Sequence, residues 1–119
     1  MKIVYATSKI ENLCTNQKMA LKFFGGDKKL AQNLFSRINA IKAASVIKDI
    51  VLMPNFHFHS LQGDLEGFFS IDVKTRRDKW RLILRPLDKD ENVFHDCSID
   101  KIANIVEIVE IKEVSPHYE

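Results

Sequence analysis

Cysteine, proline and glycine are scarce in this chain: its 119 residues include two cysteines, three prolines and four glycines. Cys14 and Cys97 match no metal-binding or redox spacing, so we expect both to be reduced thiols. No apolar run has the length of a membrane span. The N-terminus enters a strand pattern at once and lacks the apolar core of a signal peptide. These absences predict a cytoplasmic protein with no membrane partner.

An excess of charge of either sign is also absent. The 18 lysines and arginines nearly balance the 16 acidic residues, which leaves a formal net charge of +2. Because such a balance does not by itself indicate a polyanionic partner, any case for nucleic acid must rest on where the cations lie. The hydrophobic fraction of 45% is that of a folded globular protein, and the length predicts a single domain over residues 1–119.

Helical patterns dominate the first half, after a short strand at residues 2–6. Apolar residues repeat with helical spacing through residues 10–24 and again through residues 30–41, which predicts a helical hairpin. A third, shorter helix is predicted between Ser45 and Met53. The residues expected to mark the helix ends are Ser8 with Glu11 as a capping box, Gly25 with Gly26, Asp27, Ser45 and Pro54.

Strand patterns dominate the second half. Residues 68–73 and 80–85 alternate between two faces, and residues 105–114 form a long apolar run that predicts a central strand. We therefore predict an α+β fold in which an N-terminal strand and the helical hairpin pack on a mainly antiparallel sheet of four to five strands. The residues expected in its core are Leu30, Leu34, Ile38, Phe69, Ile71, Trp80 and Leu82.

One face of the two alternating strands carries charged residues. Arg81 and Arg85 are four residues apart on one strand and therefore share a face with Ile83. Guanidinium groups bind phosphate through two parallel donors and stabilise negative charge that develops on it. The alternative is a solvated sheet face on which these arginines form salt bridges with Asp72 or Glu107.

Two histidines precede the first of these strands. His57 and His59 are two residues apart, so in extended backbone they point the same way. An imidazole titrates near neutral pH and can act as a general acid or base. Zinc binding is an alternative, but no third ligand is close in the sequence. An ordinary surface or core-edge histidine is the other alternative for each of them.

A basic turn joins the two strands. Residues 74–79 include four cations, Lys74, Arg76, Arg77 and Lys79, which suit contact with the backbone of a polyanion. The alternative is a solubilising hairpin tip without a ligand. Trp80 follows the turn and starts the apolar face, so it is expected to anchor the core rather than to stack on a base.

The middle and the end of the chain resemble the HigB-type toxins of the RelE superfamily. Residues 59–71, HSLQGDLEGFFSI, are similar to the family pattern H-P-L-K-G-D-R-x-G-x-W-S-I, and residues 80–82 are similar to its W-R-I. Residues 113–118 resemble the family's last strand and its His/Tyr tail. The resemblance implies a microbial-RNase-like fold that cuts mRNA, usually in the ribosomal A site, with no metal or other cofactor. It also implies a cognate helix-turn-helix antitoxin (HigA-like).

The resemblance implies roles for individual residues as well. His59 matches the family's histidine, Arg81 its phosphate-stabilising arginine, and either His117 or Tyr118 its C-terminal acid or base. In this chemistry a base removes the proton of the ribose 2′-hydroxyl, a cation stabilises the transition state, and an acid protonates the leaving 5′ oxygen. The residues expected to bind the RNA around them are Gln62, Lys74, Arg76, Arg77, Lys79 and Arg85.

Two departures from the family pattern matter. Gln62 stands where the family has a lysine, and the tail has Pro116 before His117 and Tyr118 after it, where the family often has Asp-Tyr-His. Glutamine can donate a hydrogen bond to phosphate but brings no charge, and the cations of the basic turn are one way to replace it. Two functions therefore stay open. The first is an endoribonuclease toxin of a type II toxin–antitoxin system. The second is a catalytically weak or inactive relative that binds the antitoxin, the ribosome or RNA.

Overall fold

The computed structural model describes residues 1–95 and 98–116. Two 3₁₀ turns, Pro54–Phe56 and Gly63–Leu65, flank the second strand. In chain order the strands and helices are β1 (Lys2–Tyr5), α1 (Ser8–Thr15), α2 (Gln17–Phe23), α3 (Lys28–Ala43), α4 (Ile47–Val51), β2 (His59–Ser60), β3 (Phe69–Asp72), β4 (Trp80–Leu87), α5 (Ile99–Ile102) and β5 (Ile108–Pro116).

The strands form one five-stranded sheet in the order β1-β5-β4-β3-β2. The pairing of β1 with β5 is parallel and the other three pairings are antiparallel. The predicted α+β fold with a mainly antiparallel sheet is therefore confirmed. The strand β5 lies inside the sheet between β1 and β4, as its apolar character predicts.

The first predicted helix is wrong in one respect, because it is two helices rather than one. Asn16 is extended and its side chain accepts a hydrogen bond from the Met19 amide at 3.2 Å, so it caps a new helix inside the predicted one. The cap of α1 also lies one residue earlier than expected. Thr7, and not Ser8, accepts from the Ile10 amide, at 3.2 Å.

The start of the long helix α3 is as predicted, and that of the short helix α4 is not. Asp27 accepts a hydrogen bond from the Leu30 amide at 3.1 Å, and the glycines before it have left-handed backbone. Ser45 was expected to cap the next helix, but its amide donates instead to the Asp49 carboxylate at 2.9 Å. The helix α4 begins two residues later, at Ile47.

Two strand boundaries also differ from the prediction. The strand β4 continues through Pro86 to Leu87, although a loop was expected from Pro86 onward. Its pairing with β3 ends at Leu84, so on that side the ladder needs no donor from the proline. The strand β5 begins three residues later than predicted and runs to Pro116.

The main core lies between the helices and one face of the sheet. Six of the seven residues expected there are buried, and Trp80 is half-buried with its ring about 5 Å from two phenylalanines, at 5.2 Å from Phe23 and 5.1 Å from Phe24. The predicted register of β4 is therefore correct, since Trp80 and Leu82 face the helices. In residues 1–95 and 98–116, no helix combines the length and apolar character that crossing a bilayer requires.

Candidate active site

The sheet has a second face, opposite the helices, on which the charged residues of β3 and β4 lie. Phe69 and Ile71 belong to the helix-side core, so their neighbours Ser70 and Asp72 point the other way. Asp72 lies opposite Arg81, which in turn lies opposite Ser115 on β5. We call this side of the sheet the cleft face.

A cleft of about 370 Å³ opens at the turn end of the cleft face, and four basic residues line it: His57, His59, Arg76 and Arg81. The histidines come from the segment that enters the edge strand β2. The arginines come from the hairpin turn and from the start of β4. Residues that are 24 positions apart in the sequence thus converge, because β2 pairs with β3 and β3 pairs with β4.

Arg81 is almost enclosed, since its side chain is only 7% exposed. Its terminal nitrogens donate to three main-chain carbonyls: Asp78, Trp80 at 2.9 Å and Arg76 at 2.9 Å. Its Nε lies 3.2 Å from Oδ1 of Asp72, a charge contact that lacks the alignment of a hydrogen bond. Arg81 therefore holds the turn together. Two of its five N–H groups, Nε–H beside Asp72 and one N–H of Nη2, have no hydrogen-bond acceptor in the described structure.

Arg37 ties the two walls of the cleft to each other. This buried α3 residue donates from Nε to the Asp72 carbonyl at 2.7 Å, and from its terminal nitrogen to Lys74 at 3.4 Å and Asn55 at 3.5 Å. Its guanidinium also lies 4.4 Å from the centre of the Phe56 ring. Burial lowers the pKa of Arg37, and the nearby Asp72 charge opposes that shift. One side chain thus contacts both the segment before His57 and the strand end before the turn.

His59 has a defined tautomer. Its Nδ1 lies 2.9 Å from the His57 carbonyl oxygen, and because that oxygen can only accept, Nδ1 carries the proton. The other ring nitrogen, Nε2, is then a proton acceptor in the neutral ring, as a general base requires.

His57 is the second histidine of the cleft, with its ring centre 5.0 Å from that of His59. Its backbone is left-handed at a φ of 48°. Such strain in a residue that is not glycine costs on the order of 1–3 kcal/mol and concentrates at functional sites.

The remaining residues expected to bind RNA are spread over three places. Arg77 is exposed on the turn near Arg76, and half-buried Lys74 offers its carbonyl to Arg37. Lys79 lies 5.5 Å from the Trp80 ring, which packs towards the helices and not into the cleft. Gln62 lines a different groove of about 590 Å³.

Arg85 shares the cleft face with Arg81 but is bound differently. It pairs with Glu110 on β5 at 2.7 Å, rather than with Asp72 or Glu107 as the salt-bridge alternative had it. For Arg81 the same alternative is correct, because Arg81 forms its ion pair with Asp72.

The expected C-terminal acid, His117 or Tyr118, lies outside the described residues, as does Cys97. The strand β5 ends at Pro116, opposite Trp80 and next to the partner of Arg81. Within residues 1–95 and 98–116, no three His, Cys, Asp or Glu side chains are grouped so that they could hold a metal ion.

Sequence reasoning missed Arg37. It named Asp72 only as a salt-bridge partner in the alternative for Arg81 and Arg85, and it considered His57 as an acid, a base or a zinc ligand without including it among the site residues. A signal for Arg37 was present, because it lies three residues after Leu34 and next to Ile38 on the buried side of α3. A charged residue in an apolar stripe must find buried partners. Which partners these are depends on the packing of α3 against β3, and local sequence does not contain that information.

Comparison with known proteins identifies the fold. No family model and no curated protein matches the sequence. The YoeB/ParE toxin from Agrobacterium tumefaciens is similar in structure, with a TM-score of 0.53 at 15% sequence identity over 99% of this chain and 100% of that chain. YafQ from E. coli strain BL21(DE3) has a TM-score of 0.51 at 14% identity over 98% and 92% of the two chains. These likenesses show the fold alone, which is the RelE-like fold of the RelE/ParE toxins.

Proposed function

We propose that this chain is the toxin of a type II toxin–antitoxin system, of the HigB type, and that it is a metal-independent endoribonuclease which cleaves mRNA on the ribosome. The observation that carries the proposal is the cleft in which His57, His59, Arg76 and Arg81 converge. It combines proton-transfer groups with phosphate-binding cations, and these are the two components that RNA cleavage by the 2′-hydroxyl requires.

The reaction follows from the roles that the cleft offers. His59 Nε2 takes the proton of a ribose 2′-hydroxyl, whose oxygen then attacks the adjacent phosphorus. The bond from phosphorus to the 5′ oxygen breaks, which leaves a 2′,3′-cyclic phosphate and a protonated 5′-hydroxyl. The leaving oxygen receives its proton from His117 or Tyr118 in the role that the family resemblance implies.

Arg76 is the more available of the two cleft arginines. Arg81 directs most of its donors at the protein, whereas Arg76 is exposed and lines the same cavity. We therefore assign the first contact with the phosphate to Arg76, and a second contact to the donors of Arg81 that the turn carbonyls leave unused. This assignment also supports the idea that the basic turn replaces the charge that Gln62 lacks.

The proposed partners are a helix-turn-helix antitoxin (HigA-like), the ribosome and mRNA, and the site of action is accordingly the cytoplasm. A groove of about 550 Å³ supports a protein partner on the helix side of the molecule. Ile10 forms part of its floor, Met19 and Phe23 are 44% and 38% exposed beside it, and Lys9 and Lys22 line it. The charged lining residues are three lysines, the third being Lys112, and one acidic residue, Glu113, so the groove suits an amphipathic acidic segment.

A second function has one observation in its favour. The near-complete use of Arg81 by carbonyls and Asp72 suits a protein that binds RNA, the ribosome or the antitoxin and cleaves weakly or not at all. In an active enzyme, the phosphate must either use an N–H of Arg81 that has no acceptor or displace one of these contacts. Cleavage measurements separate the two functions.

The test is induced expression of the chain, with growth and cleavage of a reporter mRNA as readouts. The wild-type protein is expected to stop growth and to cut the message. His59→Gln should lower cleavage by about 10²–10⁴-fold, the usual contribution of a general base. His95→Gln is the matched control, since it removes an exposed imidazole that does not line the cleft.

Two results would contradict the proposal. Uncut mRNA with a folded wild-type protein supports the binding module instead. Equal cleavage by His59→Gln and His95→Gln, with both proteins folded by circular dichroism, removes His59 from the chemistry. Mapping the cut sites with and without ribosomes decides whether the ribosome is part of the substrate.

A further inference from the structure

A second cross-strand row lies on the cleft face, away from the turn. Phe69 pairs with Leu84, which brings Phe68 opposite Arg85, and Arg85 pairs with Glu110. The Arg85 guanidinium carbon lies 4.7 Å from the centre of the Phe68 ring, and Lys112 Nζ lies 5.3 Å from it. In this row the aromatic ring of Phe68 therefore has two cationic groups within contact distance, one from β4 and one from β5.

This row is accessible, in contrast to the row of Arg81. The side chain of Arg85 is 29% exposed and that of its partner Glu110 is 18% exposed. Phe68 and Lys112 are also half-buried rather than buried. The bond of 2.7 Å from Arg85 Nε to Glu110 holds the guanidinium against the ring and leaves its terminal nitrogens without an acceptor among the described residues.

The row lies in line with the cleft. Arg81, Ile83 and Arg85 alternate along β4, so Arg81 and Arg85 point to the same side. Four residues of a strand span about 13 Å. This distance is several times the rise of about 3.4 Å per stacked nucleotide. A nucleotide at Arg85 is therefore a different one from the pair whose shared phosphate would sit in the cleft.

We infer that Phe68, Arg85 and Lys112 form a nucleotide-binding subsite for single-stranded RNA, separate from the cleft. A nucleobase stacks on the Phe68–Arg85 pair, and Lys112 contacts a neighbouring phosphate. Aromatic rings and guanidinium planes on a sheet are surfaces on which unpaired bases stack, and stacking tolerates any base because every base has a π-face. The inference rests on the proposed function, since the cleft defines the strand that continues into this row.

The experiment measures binding rather than cleavage. The probes are short RNA strands with a 2′-deoxy sugar at the nucleotide to be cut, which removes the nucleophile. One probe is a dinucleotide. Two tetranucleotides extend it by two nucleotides, one at the 5′ end and the other at the 3′ end, and two further strands are the same tetranucleotides with abasic sugars at the added positions. Affinities come from titrations of isotope-labelled protein followed by NMR, which also report the residues that shift.

The wild-type protein is expected to bind one of the tetranucleotides at least about 5-fold more tightly than the dinucleotide, as one stacked base predicts. The abasic version should lose this gain. Phe68→Leu should lose it too, whereas Phe68→Tyr should keep it and all variants should bind the dinucleotide alike. Lys112→Gln should weaken the tetranucleotide, and Lys29→Gln, which removes an exposed lysine of α3, should not.

Three results would overturn the inference: no gain with length in the wild type, an equal gain with the abasic strand, or an unchanged gain in folded Phe68→Leu. If Phe68→Leu does not fold, the abasic comparison on the wild-type protein still decides. Failure of the proposed function looks different. A wild-type protein that gains affinity with length but leaves mRNA intact keeps the subsite and loses the enzyme.

Discussion

Two arginines lie four residues apart on the same face of β4, and each contacts a carboxylate of a neighbouring strand. The two ion pairs differ in burial, in distance and in the other hydrogen bonds that the arginine makes. Arg81 and Asp72 are enclosed at the turn end of the strand, and Arg81 also donates to three main-chain carbonyls. Arg85 and Glu110 are partly exposed and have the shorter contact, 2.7 Å against 3.2 Å. Residue type therefore does not decide the role of an arginine here. Its burial decides the role, together with the number of its N–H donors that are already bonded to the protein.

The difference separates a structural charge from an available one. Removing one partner of a buried pair leaves an unpaired charge in a poorly solvated place, whereas an exposed pair can exchange its partner for water or for a ligand. On this basis the Arg81–Asp72 pair maintains the shape of the turn, and the Arg85–Glu110 pair is accessible to a ligand. The following changes test that division, beginning with the largest expected effect.

Arg81→Ala should destabilise the fold by about 3–5 kcal/mol, the typical cost of breaking a buried ion pair. Loss of activity in this variant would therefore not by itself prove a catalytic role. Urea denaturation measures the effect. Arg81→Lys, which keeps the charge, should lose less, and a loss below about 1 kcal/mol in Arg81→Ala would show that the pair is not structural.

Arg37→Met should destabilise the fold by about 1–3 kcal/mol, because carbonyls on both walls of the cleft lose a buried donor. It should also move the NMR signals of His57 and His59, which Arg37 does not touch directly, because their segment loses its tie to β3. Ala43 offers a matched control on the same helix: Ala43→Met adds the same side chain at an exposed position and should leave the histidine signals in place.

Arg85→Met should cost less than about 1 kcal/mol, in keeping with an ion pair that water reaches. A double-mutant cycle with Glu110→Gln measures the coupling, and it should shrink as salt is raised because screening acts on exposed charges. A coupling as large as that of Arg81 with Asp72, or one that salt does not change, would remove the proposed distinction between the two pairs.

The smallest effect near neutral pH is expected from buried Cys14 and half-buried Tyr5 on the helix side of the sheet, because both groups are neutral there. Burial raises the pKa of Cys14 to about 12 and that of Tyr5 to about 12. Since the unfolded thiol has the lower pKa, the thiol's contribution to stability is fully present below about pH 9 and is lost as the pH rises towards 12. The urea midpoint should accordingly fall above pH 9, and Cys14→Ala should reduce this fall.

Most of the fold was predictable because its signals are local. Apolar stripes located the long helix α3, and Asp27 with the glycines before it located its start. Alternation of apolar and polar residues located β3 and β4 and placed Trp80 and Leu82 towards the helices. The errors at Asn16 and Ser45 concern residues of a type whose side chains can bond nearby backbone in more than one way, so the residue type alone does not fix the cap.

Sequence periodicity alone determined that Arg81, Ile83 and Arg85 share a face, because side chains alternate along any strand. It could not determine that one arginine would be enclosed by carbonyls and the other left accessible. That outcome depends on contacts such as Arg37 to Asp72, which lie 35 positions apart in the sequence and meet only when α3 packs on the sheet. The tertiary structure also brought His57 and Arg76 into one cleft, because strand order sets which distant residues become neighbours.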